Sequence, residues 1–365
     1  MQNKIKYSAF MLLTAAASLA GCKKIFDVPE EKDYLSTKIA FTTKDFTPVL
    51  GRTTLYTNIF SADNSTFPMT FEMLNPHFGD GRDANHIQTK KDVQVWLTEY
   101  TGAEKSIAEI EAKRKTESHP VIEMRNSGEL IVWNAATSDI IKPRDSVIYP
   151  QDIIYFDVKV TNSGGTRVLR DLSLIPSIEL PYEPNDDINK FNGKPNTTTP
   201  GGKTLVHNYP SLSGMVGEST NSAMDDPTNP TKGLVYTYIR KVPGGTGNSL
   251  RFKFLNKDSV AINPARFNET KWDQLVHGFN MEKTDEYVKY EVAYPIPLAR
   301  IPTKYTAGGV TGAGTTAHVE FSYSRIGFGN VRQVGVIAQD FKIFEKGDWE
   351  IVFHFKTVNP KFDND

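Results

Sequence analysis

The 365-residue chain has a single cysteine, Cys22. It forms no intramolecular disulfide, so each domain must be held by its own core. Long apolar runs are missing as well. The most apolar stretch, Tyr7 to Ser18, is shorter than the about 20 residues a membrane-spanning helix requires. Neither charge sign is in excess: 42 Lys and Arg face 43 Asp and Glu, for a formal charge of −1. That balance argues against a nucleic-acid partner, which calls for a basic surplus. There is no nucleophile elbow, His-Glu-x-x-His pair, phosphate loop or dinucleotide fingerprint. The seven histidines are scattered, with none at metal-ligand spacing, so neither a metal nor a cofactor is expected. The glycine-rich run from Ala307 to Gly314 lacks the Lys-Ser/Thr ending of a phosphate site and reads as a loop.

What the N-terminus does contain is specific. A basic start (Lys4, Lys6), an apolar stretch and the small residues Ala20-Gly21 make an export signal. Leu19-Ala20-Gly21-Cys22 resembles the lipobox of bacterial lipoproteins. That resemblance implies removal of residues 1–21, a diacylglycerol on the Cys22 thiol and acylation (palmitate) of the new N-terminus. Two or more acyl chains anchor firmly where one does not, because each buried methylene contributes about 0.8 kcal/mol. Residues 22–36 then read as a lipidated tether. Its late acidic cluster, Glu30-Glu31 to Asp33, resembles the surface-export signal of Bacteroidota lipoproteins, although Lys23 and Lys24 come first. The expected address is the outer membrane, exposed at the cell surface.

The remaining roughly 340 residues suffice for two domains. Plentiful Tyr and Phe, with 26 Gly and 21 Pro, suit short strands joined by turns. Ile154, Phe156, Val158 and Val160 alternate with polar residues, and Asn162-Ser163-Gly164-Gly165 turns the chain into the apolar run from Val168 to Ile175, predicting a hairpin. Residues 103–115 favour a short helix. From 182 to 233, prolines and Asn, Thr and Gly break all periodicity, which predicts a linker or long loop. Alternation resumes through Leu250, Phe252 and Phe254, then Val288 to Tyr294, Val319 to Tyr323 and Trp349 to Phe355. A second short helix is expected from Thr270, as its cap, through Phe279, and a hairpin from Phe341–Phe344 into the last strand. The predicted fold is mostly β: an immunoglobulin-like sandwich over 37–181, then a larger sandwich or jelly roll over 234–365, with one or two short helices.

Aromatic faces stack on sugar C–H surfaces, so a binding aromatic stands on an otherwise polar face. Trp349 and Trp272 share apolar faces and read as core. Trp133 sits in a strand apolar on both faces. Trp96 lies with Gln94 and Thr98, opposite Val93, Val95 and Leu97, and is the candidate ligand-binding residue, exposed or covered by the neighbouring helix. His318 and His354 fall on polar strand faces and are expected to be solvated. No carboxylate pair stands out as a glycosidase centre. Asp145-Ser146-Val147 and Asp258-Ser259-Val260 match a three-residue motif resembling a Bacteroidota O-glycosylation signal.

Asn268 to Asn280, then Thr284 to Val292 and Tyr294 to Leu298, resemble a family of Bacteroidota lipoproteins known only as a domain of unknown function. Its members resemble outer-membrane lipoproteins encoded beside SusC/SusD-type nutrient-uptake systems. The resemblance implies an accessory surface lipoprotein. The leading expectation is non-catalytic binding of polysaccharide or of an uptake complex, with membrane lipid held through Cys22. A structural or adhesion module of the envelope is the alternative, and a polysaccharide-degrading enzyme the third reading.

Overall fold

A computed structural model describes residues 33–185, 188–194, 208–224 and 234–365. Residues 1–21, Cys22 and the tether up to residue 32 lie outside these, so the expected signal, lipid attachment and most of the tether are not described. The first half runs through strands β1 (Ala40–Phe41), β2 (Asp45–Phe46), β3 (Thr54–Tyr56), β4 (Phe60–Ser61), β5 (Thr70–Phe78) and β6 (Lys90–Trp96) to helix α1 (Ile107–Ala112). It continues with β7 (Arg114–Pro120), β8 (Ile122–Met124), β9 (Leu130–Val132), β10 (Ile154–Asn162) and β11 (Gly165–Leu174). The second half holds β12 (Tyr182–Glu183), β13 (Ser211–Ser213), β14 (Val235–Lys241), β15 (Ser249–Leu255) and β16 (Gly278–Lys283). It closes with β17 (Tyr287–Val292), β18 (Ala317–Gly327), β19 (Val331–Ile343) and β20 (Asp348–Phe355). The chain is mostly β and builds sandwiches, as the alternation predicts.

In the first half, the sheet β2-β11-β10-β5 packs with the smaller sheet β3-β9-β8. Phe156, Val158, Val160, Leu172 and Phe46 meet Leu130, Val132 and Ile122 in one core. The predicted hairpin is present: β10 pairs antiparallel with β11, with Asn162 opposite Gly165. In the second half, the sheet β14-β20-β15-β17-β16 faces the β18–β19 hairpin. Phe321 of β18 lies at its centre, 5.3 Å from the rings of Phe252 and Phe353 and 4.9 Å from Phe254. Across the hairpin Tyr323 faces Gly335, where an added Cβ would fall 2.5 Å from the tyrosine ring. Glycine at 335 therefore gives Tyr323 its place.

Local expectations differ from the fold in four places. The 103–115 segment is helical only over Ile107–Ala112, because Arg114 already pairs with Trp96 in the β6–β7 ladder. The helix expected from Thr270 is a single 3-10 turn, Trp272–Gln274. Thr270 does not cap it: its hydroxyl accepts from the Ser322 N–H at 2.8 Å, which ties the turn to β18. Trp272, Leu275 and Val276 still enter the core, so the apolar spacing marks burial rather than helix. Third, β19 and β20 do not form a hairpin. They belong to opposing sheets, and the short connection crosses the sandwich; equal inward-facing alternation serves both arrangements. Fourth, segment 182–233 is more than a connector. Its β12 and β13 pair antiparallel with β19, and Met215 and Met224 enter the second core. Two- and three-residue strands are too short to show a period.

A third, small cluster joins the halves: Tyr100 and Ile110 from the first, Ala293 and Leu298 from the second. Arg52 of the first half also lies 3.8 Å over the Phe344 ring of the second and donates to Glu183 at 2.5 Å. No helix among the described residues is long and apolar enough to cross a membrane.

Candidate functional site

Trp96 ends β6 at the seam between the halves. It is 37% exposed, but its ring is already engaged. The Arg114 guanidinium lies 4.9 Å over it, and the Tyr100 ring is 5.7 Å away. Arg114 itself donates to the Tyr294 carbonyl at 3.2 Å and to Glu111 at 2.9 Å. Beyond Tyr100 the aromatic chain continues inward. His277 Nε2 donates to the Glu104 carbonyl at 2.8 Å, so its Nδ1 is left to accept from the Tyr100 hydroxyl at 2.5 Å. The Tyr305 ring stacks on His277 at 5.0 Å and 7°. Burial pushes the Tyr100 phenol well above its ordinary range, with the Glu104 charge adding to the effect. Next to this chain lies a cavity of about 30 Å³ lined by Tyr100, His277, Pro295, Leu298 and Tyr305. That is room for about two or three water molecules. The ring contacts and hydrogen bonds of the seam join the two halves.

The other tryptophans are placed as the sequence predicts where it makes a commitment. Trp349 and Trp272 are buried in the second core. Trp133 is half-buried, donating from Nε1 to Glu123 at 3.1 Å beside the His119 ring. His318 is half-buried, with its side chain 38% exposed, and bonds Asp340 at 2.7 Å. His354, expected in solvent, is buried. It lies on the outer face, but β20 is an inner strand, with Tyr236 of β14 and Leu255 of β15 opposite it and the Tyr238 ring 6.3 Å away. Burial and the Lys356 charge hold its imidazole below the usual histidine range.

That same outer face of the five-stranded sheet carries the most distinctive aromatic array. On β14, Val235, Thr237 and Ile239 point into the core, while Tyr236 and Tyr238 alternate outward and are half-buried. Tyr209 is brought alongside by the Asn208–Thr237 bridge, where the Thr237 N–H donates to the Asn208 carbonyl at 2.7 Å. Tyr209 and Tyr236 meet edge-on at 5.6 Å, Tyr236 and Tyr238 at 6.5 Å, and Tyr238 lies 6.3 Å from His354. The Lys356 ammonium sits 5.7 Å from the Tyr236 ring and 5.9 Å from Tyr238. Val352, buried, lies opposite Tyr238, and beyond it the face is charged. Arg240 is opposite Glu350, Arg251 lies on its other side, and Lys253 faces Tyr287.

Glu350 is buried and accepts from Arg240 Nε at 2.6 Å and from Arg251 Nε at 2.8 Å. Burial alone would raise its carboxyl, yet the two guanidiniums bring it below the ordinary range. A carboxylate so saturated stays ionised and is not free to carry a proton for chemistry. The Tyr209 phenol is pushed upward by burial and remains a hydroxyl at neutral pH, a donor as well as an acceptor. The array thus offers apolar ring surface with hydroxyl, ammonium and guanidinium groups at its margin, which suits a polyhydroxylated ligand.

The sequence singles out tryptophans and passes over Tyr236 and Tyr238. The signal was present in the alternation Val235-Tyr236-Thr237-Tyr238-Ile239, which puts both tyrosines on the polar face. Tyr209 gave no such signal, since a single backbone bridge places it. The two Asp-Ser-Val stretches lie at the surface: Val147 and Ser259 are exposed, and the Ser259 hydroxyl is 3.3 Å from His354 Nε2.

A protein-family model described as Domain of unknown function (DUF5007) matches residues 60–364. No curated protein and no solved structure matches the chain.

Proposed function

The chain belongs to the DUF5007 family, and on that footing we propose that it is a non-catalytic, lipid-anchored binding protein of the outer membrane that takes polysaccharide on its tyrosine face. The observation that carries the reading is the array of Tyr209, Tyr236 and Tyr238 on the outer sheet face, with Lys356, Arg240, Arg251 and Glu350 at its margin. Aromatic rings bordered by charged and hydroxyl groups match sugar rings, which present one apolar side and a rim of hydroxyls. The saturated Glu350 favours binding over hydrolysis. Leu19-Ala20-Gly21-Cys22 supplies the anchor in this reading, and a SusC/SusD-type uptake complex of a Bacteroidota envelope is the setting it serves. The test is a glycan array with the chain from Lys23 onward. Binding to a polysaccharide, lost in the Tyr209→Ala/Tyr238→Ala double variant, is expected. Capture of no glycan overturns the reading.

A second reading, a structural or adhesion module, is favoured by one observation. The β18–β19 tip projects Phe328, 91% exposed, with Val331 beside it. A tip of this kind serves contact with another envelope protein. In that case Phe328→Ser abolishes assembly with an envelope fraction and leaves glycan capture unchanged.

A further inference from the structure

The described chain begins at Asp33, at one end of the first half. Its entry is fixed by hydrogen bonds. The Tyr34 N–H donates to Thr66 Oγ1 at 3.1 Å, and the Thr66 N–H returns to the Tyr34 carbonyl at 2.9 Å. The Asn162 amide, at the β10–β11 turn, donates to the carbonyls of both Tyr34 and Thr66 at 3.0 Å. Three chain segments are thus locked together where the tether leaves. At this point two aromatic side chains stand outward: Tyr34, 56% exposed, and its neighbour Phe67, 54% exposed. Neither is used by the core or by the tyrosine face.

We propose that this end of the first half rests on the lipid surface, with Tyr34 and Phe67 seated among the headgroups. The inference rests on acylation of Cys22, the anchoring part of the function proposed above. The occupant follows from where the chain ends and how much of it lies between. Ten residues separate Cys22 from Asp33, and ten residues extend no further than about 35 Å. The lipidated cysteine therefore keeps these rings within a short reach of the bilayer, and any shortening of the tether brings them onto it. A tyrosine and a phenylalanine suit that zone, since aromatic rings gather at the membrane–water boundary. The nearby carboxylates of Asp33 and Asp63 accept from the Ser163 and Ser36 hydroxyls. Contact through rings rather than charge needs no anionic lipid.

The placement orients the molecule. β11 starts at Gly165, beside the tether, and runs ten residues to Leu174, from which the chain leads to β12 in the second half. At about 3.3 Å per residue, β11 spans roughly 30 Å from the tether end in the direction of the second half.

The test uses the mature chain with its one thiol, Cys22, alkylated by a single myristoyl chain. One such chain gives only marginal binding to vesicles, with a partition constant of about 10⁴ M⁻¹, so any added contact is measurable. Partition is measured into phosphatidylcholine vesicles for this protein, for Tyr34→Ser/Phe67→Ser and for Phe328→Ser. The double variant is expected to partition about tenfold more weakly, with its melting temperature unchanged because both side chains are exposed. Phe328→Ser is expected to match the parent, and salt to have no effect. Equal partition of all three proteins overturns the proposal. So does a dimer formed without vesicles and dissolved by the double substitution, which would assign the patch to a second copy of the chain. Intact mass of the exported protein tests native acylation separately, so loss of that reading is distinguishable from loss of this one.

Discussion

Glu104 and His119 show opposite pH behaviour for reasons visible in their partners. Burial raises the Glu104 carboxyl, but the Lys113 ammonium at 2.5 Å and the Thr101 N–H at 3.0 Å outweigh it and bring it down to about 2. A carboxyl depressed on folding contributes stability above its unfolded value of 4.5 and loses it as the pH falls toward 2. Glu104→Gln is expected to cost about 2 kcal/mol at pH 7. Denaturant melts should show the gap between wild type and variant closing between pH 4.5 and 2. His119 runs the other way. Its bond to Glu117 at 2.9 Å raises the imidazole, burial opposes, and Glu123 at 3.0 Å adds to the rise. Its stabilising effect is complete below 6.5 and fades as the pH climbs through the raised value. Titration of the His119 ring by NMR should give a midpoint above 6.5, and Glu117→Gln should lower it.

Among the elements, α1 is the shortest lever on the seam. The Ser106 hydroxyl accepts from the Glu109 N–H at 3.1 Å, and the Glu109 carboxylate accepts from the Lys105 N–H at 2.8 Å. Ser106→Ala is expected to cost about 1 kcal/mol in chemical denaturation. Phe321→Ala removes the ring on which Phe252, Phe254 and Phe353 converge, at an expected cost of about 3–5 kcal/mol. Strands were legible in the sequence wherever a polar and an apolar face alternate for five residues or more, as in β10, β15, β17 and β18, and β11 was legible from the turn before it. Elements decided by a distant partner were not. Thr270 has the chemistry of a cap, yet Ser322 takes its hydroxyl. Phe341–Phe344 and Trp349–Phe355 each have the pattern of a strand, but pattern says nothing about which sheet receives them. The tyrosine face was half legible: alternation exposes Tyr236 and Tyr238, while the approach of Tyr209 depends on a bridge across 29 positions of chain, from Asn208 to Thr237.

For the molecule as a whole, the seam decides whether the two cores act together. Tyr100, Glu104 and Ile110 come from the first half, and His277, Ala293, Leu298 and Tyr305 from the second. His277→Ala strips the stacking surface from Tyr305 and leaves the Tyr100 hydroxyl without its acceptor. Calorimetry is expected to split one unfolding transition into two, and an unsplit, unshifted transition would remove the seam from the account. The broader claim is that the seam holds the molecule together while the tyrosine face binds, and the two carry different aromatics. Titration calorimetry with the strongest polysaccharide from the glycan array separates them most directly. Tyr238→Ala is expected to weaken binding about tenfold or more and Trp96→Ala to leave it unchanged. The reverse result, loss with Trp96→Ala and none with Tyr238→Ala, would contradict that claim.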